Sequence, residues 1–189
     1  MPCFTNLRFR QCIISIRQKS CINQTITGIE KDCSTSKGGI IVVYLANYDD
    51  VTAVEVTENK ITGITLASSK KFLTYNFRKG TGSMTSTLNV DPANGVNYVT
   101  TDLVLQFLKM DTTKRIEMSA LAVNELVAIV KDANGTYWYL GKDEAISATA
   151  GDGTTGTARG DGNRYTITLQ DTSSTFPYEV DSAIIAGLI

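Results

Sequence analysis

The side chains that carry most acid–base and metal chemistry are thin in this sequence. There is no histidine, which removes Ser-His-Asp and Cys-His pairs and every zinc site that needs an imidazole. Carboxylates occur as adjacent pairs, Asp49-Asp50 and Asp143-Glu144. Neighbours on a strand point to opposite faces, so neither pair makes an acid/base dyad by itself, and both read as turn and surface charges. The glycine-rich run Gly151–Gly162 lacks the Gly-Lys-Ser/Thr ending with which a P-loop holds phosphate and magnesium, and no helical pattern follows it. Asp152 and Asp161 within it lack the closing Glu of an EF-hand. Arg159-Gly160-Asp161 matches a short adhesion tripeptide, a match of three residues that recurs by chance. The run reads as a mobile, solvated loop between strands. Tyr137-Trp138-Tyr139 offers a ligand platform, yet alternation puts two rings on one face and one on the other, which suits core or interface packing. Lys70-Lys71 and Arg78-Lys79 read as a solvated edge or an inter-subunit salt bridge, not a DNA groove. No catalytic, cofactor-binding or metal-binding residue is assigned, and neither enzyme activity nor a cofactor is expected.

The cysteines complete the chemical inventory. Cys3, Cys12, Cys21 and Cys33 are spaced by 9, 9 and 12 residues, which fits no compact zinc pattern. The long remainder has no cysteine, so they read as free thiols in a reducing compartment. The first 20 residues carry Arg8, Arg10, Arg17 and Lys19 and no acid, whereas residues 21–189 hold 14 basic and 19 acidic residues. Charges on both sides of the short apolar stretch Cys12–Ile16, with no clean cleavage site after it, argue against a signal peptide. Residues 1–21 are therefore expected to be a flexible basic arm, and 22–189 a single domain.

What must hold any site in place is β structure. The 189 residues include 25 Thr, 13 Ser and only 3 Pro, and Thr suits strands with one wet face. A net charge of −1 speaks against a dedicated nucleic-acid binder. No run of about 18 apolar residues writes a membrane span. Ile40–Ala46 is a continuous apolar run suited to a strand buried on both faces. Strands are also expected at Val51–Val56, Ile61–Leu66, Phe72–Phe77, Leu126–Val130, Tyr137–Leu140, Glu144–Ala150 and Tyr165–Leu169, with an edge segment at Phe176–Val180. Asp91-Pro92-Ala93-Asn94-Gly95 is a strong turn signal, so Ser83–Val90 and Asn97–Lys109 should form one long hairpin. Leu103, Leu105 and Phe107 share its core-facing side, while Ser83–Thr87 and Thr100–Thr101 are expected to face water. One helix is predicted at about residues 112–123, capped by Asp111 or Thr112 and closed by Asn124. Its apolar stripe is read as Ile116, Ala120 and Val123, with Leu121 beside it. The apolar end, Ala183–Ile189, suits docking on the fold or on a neighbour.

This order of strands, long hairpin, helix, second hairpin and glycine-loop strands resembles the tail tube proteins (major tail proteins) of tailed bacteriophages and related contractile injection systems. The stretches that carry the likeness are Phe72–Lys109, Ile116–Leu140 and Gly151–Leu169, about two thirds of the chain. The resemblance implies an all-β sandwich or barrel with one packed α-helix and a long projecting hairpin. It implies a structural virion protein: homohexameric rings stacked into a tube, contacts with other tail proteins, DNA passing through the lumen without specific binding, no membrane span, and assembly in the bacterial host cytoplasm. The alternatives are another β-rich virion component (tail terminator, head decoration or fibre protein) or a carbohydrate-binding or adhesion module.

Overall fold

In a computed structural model of the chain, residues 26–189 are described. Two units are distinguished, Met1–Thr35 and Ser36–Ile189. Of the first, residues 26–35 are exposed and carry neither helix nor strand. The basic arm expected at residues 1–21, with three of the cysteines, lies outside the described residues. Cys33 is an exposed free thiol.

The second unit is β-rich, with eleven strands, two α-helices and a short 3-10 turn. A seven-stranded sheet has the order β2-β3-β11-β8-β7-β1-β4, with β1 Ile40–Asn47, β2 Val51–Thr57, β3 Lys60–Leu66, β4 Leu73–Asn76, β7 Leu126–Asp132, β8 Tyr137–Leu140 and β11 Tyr178–Val180. A four-stranded sheet has the order β5-β6-β10-β9, with β5 Ser83–Asp91, β6 Val96–Leu108, β9 Ser147–Thr154 and β10 Arg164–Ser173. Neighbours are antiparallel except β3 and β11, which run parallel through Lys60 and Ile61. The segment expected at an edge near Phe176–Val180 is thus an interior strand, because β3 and β8 both need a partner there.

Local chemistry explains the connections. Glu58 and Asn59 adopt φ of 52° and 63°, the paired left-handed conformation of the tight turns that match strand twist. At the long hairpin, the Asp91 carboxylate accepts the backbone N–H groups of Ala93 and Asn94 at 3.0 and 3.3 Å. Helix α1, Thr112–Val123, starts where the Asp111 carboxylate accepts Lys114 N–H at 2.8 Å. A second helix, α2 (Ser182–Leu188), occupies the apolar C-terminal stretch and buries Ile185 and Leu188.

The apolar residues form two cores. One joins Val43, Leu45 and Val130 of the large sheet to Leu103, Leu105, Ile167 and Leu169 of the small sheet and to Leu121 of α1. The other joins Ala46, Val127, Ile129 and Tyr139 to Ile61, Phe72, Val180 and the buried residues of α2. Central strands of the large sheet are therefore covered on both faces, which is why β1 and β7 read as unbroken apolar runs. The helix stripe is not the one expected. Leu121 is buried with Met118 packed beside it, whereas Ile116 and Val123 are 57 % and 81 % exposed. The glycine run is also placed differently, since β9 continues to Thr154 and only the residues after it form the loop. Gly153 makes this possible: a Cβ there would stand 2.9 Å from the Tyr165 ring and 3.1 Å from the Met110 methyl.

Candidate functional site

The four-stranded sheet has two unlike faces. Toward the core it presents Leu103, Leu105, Ile167 and Leu169, each at most 2 % exposed. The other face is read from the register. Thr87, Thr100 and Thr172 lie in one row across β5, β6 and β10. Thr85, Asp102, Gln170 and Ser147 make the next row, followed by Ser83, Val104, Thr168 and Ala150, then Gln106, Thr166 and Asp152. None of these residues is buried. The face is largely hydroxyl and amide, and neighbours on it bond to one another. Gln170 Nε2 donates to Asp102 Oδ1 at 2.8 Å, and Asn89 Nδ2 to Thr100 Oγ1 at 3.1 Å. Its charges are Asp91 at the hairpin tip, Asp102, Asp152 and, at the other end, Arg164. Such a surface offers many weak hydrogen bonds and no cationic cluster to hold phosphate. Thr101, expected on the wet side with Thr100, points inward at 0 % exposure and pairs its hydroxyl with Ser86 at 2.8 Å.

Neither border strand of this sheet has a second strand partner. The nine residues of β5 and the eight of β9 each pair on one side only. An edge strand leaves a row of unpaired N–H and C=O groups, a template for pairing with another chain. Beside β9 lies a groove of about 470 Å³, with Arg115, Met118 and Ala122 of α1 on one wall and Ala148–Gly153 on the other. At the hairpin tip β6 outruns its partner. Its pairing with β10 ends at Val99–Ser173, while its pairing with β5 continues to Val96–Asp91. The overhang is three residues of β6, roughly 10 Å at 3.3 Å per residue. The long hairpin therefore projects only at its tip. That tip leaves Leu88, Val90, Val96 and Tyr98 between 40 % and 58 % exposed.

The residues singled out from the sequence are not brought together. Asp50 pairs with Lys70 at 3.1 Å, and Lys71 Nζ donates to the Ile189 carbonyl at 2.6 Å. The Asp161 carboxylate accepts Ala158 and Thr157 N–H at 2.7 and 2.8 Å, which holds it below the usual carboxylate range and turns it into its own loop. Tyr139 is buried in the second core, Trp138 packs on the first and donates to Asp132 at 3.1 Å, and Tyr137 lies under the Lys131 ammonium, so no flat aromatic platform forms. Among the described residues no cluster of three His, Cys, Asp or Glu side chains is placed to hold a metal ion, and no helix is long and apolar enough to cross a membrane.

One polar residue escapes a reading based on motifs. Asp171 is 2 % exposed, and its carboxyl is pushed up to about 6, chiefly by burial. Its phase was the available signal: it follows Ile167 and Leu169 at spacings of two, which puts a carboxylate on the apolar side of β10. No family model matches the chain, and neither the curated proteins nor the solved structures contain a match.

Proposed function

We propose that the protein is a structural subunit that builds a ring around a polar channel, the role of a tail tube protein. The observation that carries this reading is the four-stranded sheet with one uncovered Thr/Ser/Asn/Gln face and a strand at each border that pairs on one side only. Pairing β5 of one copy with β9 of the next extends the sheet from subunit to subunit. Because the two borders differ, the contact is heterologous, and such contacts close into rings when the rotation per copy divides a full turn. The polar face then lines the channel, and the apolar hairpin tip packs on a neighbour. The acidic excess of residues 21–189 suits passage of DNA, since a lumen without cationic clusters gives phosphates nothing to stick to. Virion residence, six-fold symmetry and contacts with other tail proteins belong to this same proposal.

The test is mass in solution and negative-stain microscopy of the full chain, with two proline variants. Adjacent residues of an antiparallel edge strand send their N–H groups alternately to the partner strand and to the open border. Of Thr85→Pro and Ser86→Pro, one therefore breaks the β5–β6 ladder and the other removes only an outward donor. Rings or tubes are expected from the parent, and a folded subunit that no longer closes rings from one of the two variants. A parent that stays monomeric at high concentration, or two variants that both assemble as readily as the parent, refutes the ring reading. A monomer that binds glycans favours the carbohydrate-binding alternative.

A further inference from the structure

Asp171 is the one charged side chain that the fold buries among the described residues. Its carboxylate accepts the Gly141 backbone N–H at 3.1 Å. Gly141 is tightly seated, with φ at 88° and atoms of Leu126, Val127 and Ile146 within 3.2 Å of the place a Cβ would take. It opens a short strap, residues 141–146, that leaves β8 in the large sheet and enters β9 in the small one. The far end of the strap is fixed by reciprocal backbone bonds between Ile146 and Leu126 at 2.8 and 3.0 Å. Its middle is fixed by Asp143, which accepts the backbone N–H and hydroxyl of Ser174 at 3.0 and 2.7 Å.

The two carboxylates that hold this crossing differ in kind. Asp143 is exposed and also takes the Lys142 ammonium at 3.3 Å, so its charge is well served and it stays ionised below the usual range. Asp171 sits in the core with one backbone donor and the Ser173 hydroxyl beside it. The titratable groups around it are Asp143 and Glu144 of the strap, both repelling its charge, and the buried Tyr139 phenol of β8. The Lys142 ammonium of the strap is turned to Asp143 and to the Tyr178 ring.

We propose that Asp171 is an acid latch, whose protonation state sets how firmly the strap 141–146, and with it the start of the edge strand β9, is closed. When ionised, Asp171 gains by moving from the core and its two acidic neighbours into water, so local opening is favoured. When protonated it gains nothing by leaving, and the strap stays shut. This concerns the isolated subunit and does not rest on the ring-forming reading.

The test is amide hydrogen exchange on the full chain, followed at Gly141, Ile146 and Ser174 and corrected for the intrinsic rate at each pH. With the carboxyl at about 6 when closed and 3.8 when open, the opening constant is expected to rise about tenfold between about pH 5 and about pH 8. In Asp171→Asn the same amides should show no such rise. In Asp143→Asn the rise should persist with its midpoint moved down, because one like charge is gone. The latch is overturned if Asp171→Asn keeps the pH dependence, if the wild-type amides show none, or if Asp143→Asn alone abolishes it. Should Asp171→Asn fail to fold, carboxyl-carbon NMR of the wild-type protein decides the matter. A midpoint near 6 for Asp171 sustains the latch, and a midpoint below about 4.5 ends it.

Discussion

Excising part of the glycine-rich run tests where the fold ends and the loop begins. The last pair of the β9–β10 ladder is Thr154 with Arg164, so residues 155–163 form the connection. Asn163 must be kept, since its carbonyl and side-chain oxygen accept the N–H groups of Lys109 and Met110 at 2.6 and 2.7 Å. Replacing residues 155–162 by Asn-Gly shortens the connection to about a third of its length. Closure entropy scales with the logarithm of loop length, so the gain is roughly 1 kcal/mol. Little opposes it, because the Asp161 bonds to Thr157 and Ala158 lie inside the excised piece and vanish with both partners. Urea unfolding should therefore show stability equal to the parent or up to about 1 kcal/mol higher, with an unchanged slope. Excising residues 151–162 instead removes Gly151, Asp152, Gly153 and Thr154, each paired with a residue of β10. At about 1 kcal/mol per ladder bond, that variant should lose roughly 4 kcal/mol. A short excision that costs more than about 2 kcal/mol, or a long one that costs no more than the short, refutes this placement of the strand end.

Three further outcomes are expected. Leu105→Ala removes a side chain of 0 % exposure between the two sheets and should cost about 2–5 kcal/mol in the same urea assay. Asp111→Ala leaves the Lys114 N–H of α1 without its cap and should cost about 1 kcal/mol, with a visible loss of helical circular dichroism near the helix start. Asp171→Asn should change how stability depends on pH. The folded carboxyl is raised from 3.8 to about 6, so its contribution is fully present below about pH 4, falls as pH rises through about 6, and is lost above. The wild type should therefore lose up to about 3 kcal/mol across that window relative to the asparagine variant. Parallel pH profiles for the two proteins would show that the carboxyl is not perturbed.

Sequence alone determined the elements whose signals are local. Period-two alternation and the Asp-Pro-Ala-Asn-Gly turn place β5, β6, β7 and β8 correctly, and the Asp111 cap places the start of α1. These depend on backbone conformations and side-chain bonds within a few residues, which any chain context preserves. Tertiary structure decided what depends on a distant partner. The helix carries two apolar faces, Met118 with Leu121 and Ile116 with Val123, and only the approach of Leu45 and Leu169 from two sheets selects the first. The Gly151–Thr154 segment is strand because β10 lies beside it and Tyr165 needs the space that Gly153 leaves. Tyr178–Val180 is interior because β3 and β8, far apart in sequence, arrive on either side of it. The uncovered polar face follows the same logic. Its Thr residues were visible as composition, but that they form rows on one side of one sheet, with Thr101 and Asp171 turned to the other, is fixed by strand register, which pairs residues up to 74 positions apart in the β6–β10 ladder, Val99 with Ser173.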